Sequence, residues 1–200
     1  MLLLTEGRFG AAVATELASP HDDFAAAAST GFAAVREGMF VGVATRRRSN
    51  SVFDALDEAC RVKRARWGAV YMSGRTLRCG PTLAPADGPC YRCLRARVLT
   101  HSYTPERDLL LDEVYLRDPS LGGNGFIGAV AGLAATLLGD AERAGLAGIG
   151  RLVRLDVLSG HVMTLNLVRV HGCERCGRGG NRQERFSRYA ISELAAMGRA

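Results

Sequence analysis

The sequence predicts an α/β domain with a mixed sheet, finished by a β-hairpin and a four-cysteine clasp. Two observations carry this. Apolar strand-like runs alternate with helical stretches, and two alternating strands joined by Ser159-Gly160 follow them. Two C-x-x-C pairs also stand far apart in the chain: Cys90 and Cys93 in Pro-Cys-Tyr-Arg-Cys-Leu, Cys173 and Cys176 in His-Gly-Cys-Glu-Arg-Cys-Gly. At this spacing one tight turn aims two thiolates at a single ion, and two such turns supply the soft ligands of a closed tetrahedral zinc site. A closed site leaves no position for water, so the zinc is expected to hold the fold and not to perform chemistry. Buried free thiols or a disulfide pairing are the alternatives. The stretch 94–172 is far longer than the roughly 15–20 residues that separate the pairs of a single zinc ribbon. A folded domain must therefore bring the knuckles together, and the zinc would clip the end of the chain onto its middle.

Composition fits one ordinary domain. The chain has 200 residues, 48% hydrophobic and 23% charged, enough to bury a core. The expected division is a zinc-binding domain over 1–178 and a basic linker with a C-terminal helix over 179–200. No apolar run reaches the length of a membrane span, and Met1–Leu4 is too short for a signal peptide. With thiol pairs suited to metal, this points to a reducing cytoplasm. The net charge is +6 and the pI about 9.3, with Lys63 the only lysine. A solvated basic surface is the plain reading of that charge, and a groove for an acidic peptide or nucleic acid is the functional one. The arginines are scattered and aromatics make up 6%, so no nucleic-acid signature emerges.

In order, Met1–Thr5 reads as a short buried strand, residues 6–10 as a turn, and Ala11–Ala18 as a helix. Strand, glycine turn and helix open a nucleotide-binding βαβ unit. Here only Gly7 and Gly10 of the fingerprint are present, and Glu6 sits where phosphate would approach, a carboxylate opposing an anion at the helix N-terminus. Residues 19–38 read as a vestigial strand-and-helix excursion. Met39–Thr45 is a continuous apolar run suited to a central parallel strand. Ser51 is the expected N-cap of an amphipathic helix over Val52–Lys63 with Val52, Leu56, Ala59 and Cys60 on one face. Trp67–Ser73 is the next strand, turning at Gly74-Arg75 into Thr76–Cys79. The proline-rich stretch 80–89 is an irregular loop leading to the first knuckle, and Cys90–Val98 turns into a short helix.

Residues 99–119 predict a mobile crossover with one short helix, in which Leu109, Leu110 and Leu111 must be buried. Leu121–Gly125 is a glycine hinge. Phe126–Ala144 is a long helix of small residues that permits close approach of its neighbours. Arg151–Leu158 and His161–Val170 form the hairpin. After the second knuckle, 178–185 is a basic linker and Phe186–Met197 an amphipathic helix. Cys60 and Cys79 read as buried structural thiols. His171 is either a donor to a thiolate or, as the plainer reading, a surface histidine; His21, His101 and His161 carry no signal.

Residues 89–94, then 128–142, 150–156 and 168–177 resemble, in order and spacing, the first zinc knuckle, long helix, terminal strands and second knuckle of the ubiquitin-activating-enzyme-like superfamily, which includes the ThiF and MoeB adenylyltransferases. The resemblance implies a reduced Rossmann-like ThiF-type domain, commonly dimeric, whose four matched cysteines bind structural zinc. The family's chemistry needs a glycine-rich turn, an Asp near magnesium and basic residues on the phosphates. Here the turn is degraded, and Arg48-Ser49 and Phe53 stand where the family's Asp-Asn pair and arginine are expected. Lys63 is misplaced for the phosphate-binding lysine, and no cysteine lies in 99–125. No catalytic and no cofactor-binding residue is therefore assigned.

The stretch from Trp67 through Gly80-Pro81 to Arg97 looks like the ThiF-like proteins of thiazole/oxazole-modified peptide (TOMM) biosynthesis. Those proteins do not adenylate; they present a precursor peptide to a YcaO-type cyclodehydratase that turns Cys, Ser or Thr into azolines. The resemblance implies a noncatalytic zinc scaffold, partnered by such an enzyme, its precursor peptide, or both. The alternatives are an ATP-dependent adenylyltransferase acting on a peptide or sulfur-carrier C-terminus and, favoured only by the pI, a zinc-stabilised nucleic-acid module.

Overall fold

The structure, a computed structural model, describes residues 1–118, 121 and 125–177. The expected linker and C-terminal helix, and the middle of the glycine hinge, lie outside these residues. The described chain runs β1 (Leu2–Thr5), α1 (Gly7–Leu17), β2 (Asp22–Asp23), α2 (Phe24–Ser29), β3 (Phe40–Thr45), α3 (Asn50–Val62), β4 (Arg66–Ser73), β5 (Thr76–Cys79), α4 (Tyr91–Thr100), α5 (Pro105–Arg117), α6 (Gly128–Arg143), β6 (Arg151–Asp156) and β7 (Val162–Asn166). One seven-stranded sheet has the order β2-β1-β3-β4-β5-β6-β7. The first four of these strands pair in parallel, and β4 to β7 pair antiparallel. The mixed sheet read from the sequence is thus a parallel half and a meander half sharing β4.

Because side chains alternate along a strand, each parallel strand feeds two cores. Leu3, Phe40, Ala44 and Val70 face α1 and α6. Leu4, Val41, Val43, Trp67 and Tyr71 face the other layer, with Phe24 of α2, Phe53 and Leu56 of α3, and Tyr91 of α4. On that second face Phe24, Phe53, Trp67, Tyr71 and Tyr91 form a cluster of largely edge-to-face rings, Phe53 at its centre. On the first face small residues set the spacing. Ala131, Ala134 and Ala135 of α6 are buried, as the small-residue pattern anticipates. A Cβ on Gly10 of α1 would stand 2.4 Å from the Ala44 carbonyl of β3.

Several boundaries differ from the sequence reading for local physical reasons. α1 begins at Gly7, so β1 passes into it with only Glu6 between, and the expected turn over 6–10 is absorbed into the helix. α3 begins at Asn50 behind Ser49, which caps without a side-chain bond; Ser51 is not the cap. That start carries Phe53 and Asp57 to the buried face with Leu56 and Cys60, while Val52 and Ala59 only flank it. The crossover holds a thirteen-residue helix, α5. Its three leucines are not buried: Leu109, Leu110 and Leu111 are 39%, 59% and 38% exposed, since consecutive positions spread around a helix and cannot share one face. The second hairpin strand stops at Asn166, because the chain then peels away toward the thiols: Arg169 donates to the Gly88 carbonyl at 2.9 Å and the Val170 N–H points to Cys93 Sγ at 3.3 Å. No helix among the described residues is long and apolar enough to cross a membrane.

Candidate metal centre and adjoining crevice

The first knuckle is the N-terminus of α4. Cys90 is its N-cap, and Cys93 lies one turn in, its N–H bonded to the Cys90 carbonyl at 3.0 Å. The positive end of the helix suits thiolates there. The second knuckle is a tight turn closed by Gly177 N–H to the Cys173 carbonyl at 2.7 Å. A Cβ on Gly177 would lie 2.3 Å from that carbonyl, so only glycine fits.

These turns bring all four expected residues together. The Sγ atoms of Cys90, Cys93, Cys173 and Cys176 lie within 4.8 Å of one another. Cys90–Cys93, Cys90–Cys173 and Cys93–Cys176 are 3.8, 3.6 and 3.2 Å apart. A tetrahedral zinc with bonds of about 2.3 Å needs sulfur–sulfur edges of about 3.8 Å, so the donor set fits that ion in number, softness and size. The Cys90 thiol, in hydrogen-bond reach of Cys93, holds the Cys93 thiol well below its usual range, helped by the Val170 N–H; the same contact raises Cys90. His171 is exposed, and it is the backbone of Val170 that donates to the sulfur.

The residues between each cysteine pair fasten the knuckles, and both are fastened to α3. In the first, Tyr91 is buried against Phe53 and Trp67, and its hydroxyl donates to Asn50 Oδ1. In the second, Arg175 turns inward with its side chain 8% exposed. Its Nη1 donates to Asp54 Oδ1 at 2.7 Å and to Asp57 Oδ2 at 3.0 Å, its Nη2 to Asp54 Oδ2 at 3.0 Å. Its Nε faces Glu58 at 3.4 Å. Asp57 is fully buried; it also accepts the Trp67 Nε1–H at 2.9 Å. Burial pushes its carboxyl above the usual range, and these donors offset part of that. Sequence reading missed both residues. The available signal was an Asp on the apolar face of α3 one position past Leu56, and a charged residue inside a metal turn.

The second locus is the crevice outside the carboxyl ends of β1 and β3, where strand order reverses and where open α/β sheets hold ligands. Glu6 stands there at the N-terminus of α1, as the sequence places it. Burial raises its carboxyl above the usual range, with Arg47 opposing. Arg46 and Arg47 both donate to the Leu121 carbonyl, and the Arg47 guanidinium lies 4.0 Å from the Tyr115 ring centre. Beyond it, a cavity of about 680 Å³ under α5 is lined by Arg46, Arg47, Arg48, Arg78 and Arg107 together with Asp108 and Asp112. Arg48 occupies this wall and Ser49 caps α3. Lys63 is exposed at the far end of α3. Cys60 and Cys79 are buried as expected; burial pushes Cys79 up to about 12 and Cys60 higher still.

No protein-family model and no curated protein matches the sequence. Solved structures do. The heterocyclase TruD superposes with a TM-score of 0.61 at 17% identity over 88% of this chain and 27% of its own. The E. coli microcin synthetase McbBCD complex gives 0.63 at 10% identity over 86% of this chain and 67% of the other. E. coli MccB gives 0.53 at 14% identity over 80% and 44%. This chain therefore spans about a quarter of the heterocyclase it matches. At these identities the likeness is one of fold, and it agrees with the fold that the sequence resemblance implies. The chain has the ThiF-type α/β fold, with a terminal hairpin and four converging cysteines.

Proposed function

We propose that this protein is a zinc-clasped, noncatalytic ThiF-like scaffold in the biosynthesis of azole- or azoline-bearing ribosomal peptides. It would assist a YcaO-type cyclodehydratase or present that enzyme's precursor peptide, in the cytoplasm, alone or as a homodimer. The fold likeness to a heterocyclase and to a microcin synthetase supports the setting. The observation that carries the noncatalytic half is Glu6. A half-buried carboxylate at the N-terminus of α1, with no glycine-rich turn before it, opposes the phosphate that adenylation must hold there. Zinc, bound by Cys90, Cys93, Cys173 and Cys176, supplies cohesion between the end of the chain and its middle. The residues around it supply the docking: Tyr91 and Arg175 seat both turns on α3.

The test mixes the chain with a YcaO-type enzyme and a Cys/Ser-rich precursor, with ATP. Co-purification and a chain-dependent loss of water from the precursor, read by mass spectrometry, are expected. ATP–pyrophosphate exchange by the chain alone would overturn the noncatalytic reading in favour of an adenylyltransferase. The five arginines of the crevice cavity are the feature that favours this second reading.

A further inference from the structure

We infer that Arg175 and Asp57 form a positioning pair that sets the second knuckle against the first, and thereby tunes the metal affinity of the four thiols. This rests on the metal reading of Cys90, Cys93, Cys173 and Cys176. The second knuckle reaches its place at the end of a chain that has already left the sheet, and its residues are half-buried or exposed. What enters the body of the protein is one side chain. Arg175 penetrates between Asp54, Asp57 and Glu58 and bonds the first two through both terminal nitrogens. Asp57 in turn accepts from Trp67, whose ring packs against Tyr91 of the first knuckle at 5.9 Å between centroids. Asp57 thus holds the second turn directly and meets the first through Trp67, so their separation is set by a buried ion pair as well as by an ion.

The fork of a guanidinium suits this role. It can bridge two carboxylates in fixed geometry, whereas an ammonium engages as a point charge. Neighbours that orient metal ligands typically change metal affinity by roughly 10–100-fold when removed. Glu174, in the same turn, is 90% exposed and among the described residues makes one long contact of 3.7 Å, to Arg92, so it is the natural control. Trp67 is the only tryptophan in the chain and bonds Asp57 directly, so its emission reports on the pair.

The experiment titrates zinc alone against a competing chelator for the wild type, Arg175→Met, Arg175→Lys, Asp54→Asn and Glu174→Gln, with far-UV circular dichroism on each. Arg175→Met should bind zinc roughly 10–100-fold more weakly, Arg175→Lys and Asp54→Asn should fall between, and Glu174→Gln should match the wild type. Chelation should shift Trp67 emission in the wild type and shift it far less in Arg175→Met. If Arg175→Met does not fold, Arg175→Lys and Asp54→Asn carry the test. Affinities within about twofold of wild type in the folded Arg175 and Asp54 variants, or an equal loss in Glu174→Gln, overturn the inference. A wild type that binds no zinc overturns the metal reading itself, which is a distinct result.

Discussion

At the scale of single residues, charge placement separates what holds this molecule together from what costs it stability. Asp57 is a buried carboxylate that accepts from Trp67 and Arg175. Removing it leaves the buried Trp67 Nε1–H without its acceptor and Arg175 with Asp54 and Glu58 alone, and a buried donor left unsatisfied costs about 1–3 kcal/mol. Asp57→Ala should therefore lower stability by that order in urea unfolding, and an exposed change such as Glu174→Gln should leave it within about 0.5 kcal/mol. Glu6 is the opposite case. Burial is the largest influence on it and raises its folded-state pKa. As pH rises through the ordinary glutamate value of about 4.3, the unfolded chain gives up this proton before the folded chain does. The carboxylate thus lowers folded stability from there upward and fully so above its raised folded value. Glu6→Gln should raise the unfolding midpoint at neutral pH, with the difference vanishing as pH falls below about 4. A midpoint at neutral pH equal to or below the wild type would contradict this.

At the scale of elements, close backbone approach decides what can change. Gly10 belongs to the expected nucleotide fingerprint, yet what it does in the structure is let α1 lie on β3. Its Cβ would meet the Ala44 carbonyl at 2.4 Å and Thr5 at 3.0 Å. Gly10→Ala should therefore destabilise by about 1–3 kcal/mol through overpacking, although alanine favours a helix. Thermal unfolding of this variant beside Gly132→Ala, whose Cβ would meet only Glu16 at 3.6 Å, separates the two effects. Gly132→Ala should be neutral or stabilising. The exposed leucines of α5 follow from the same geometry: a run of apolar residues at consecutive positions cannot form a stripe, and the helix leaves part of each in solvent.

At the scale of the whole molecule, the strands and long helices were legible because each has a strong period: continuous apolar runs for the parallel strands, alternation for the hairpin, small residues for α6. The four thiols were legible because ligand spacing is local chemistry. Helix starts were not, since α1 and α3 both begin without a side-chain cap bond and their onset is set by packing. Nor were Asp57 and Arg175, which are 118 residues apart and meet only once the sheet and α3 are built. The four thiols bring together positions 83 residues apart, which a shared metal would cross-link. In the chain-entropy model, cross-linking a loop of that length stabilises by about 4–5 kcal/mol.

Metal analysis of the purified chain under reducing conditions, followed by unfolding with and without a chelator, tests this most directly. The account predicts one zinc per chain, and an unfolding midpoint that drops on chelation to the level of Cys176→Ser. A metal-free chain that unfolds no earlier than the loaded one, or a Cys176→Ser variant as stable as the wild type, would contradict it.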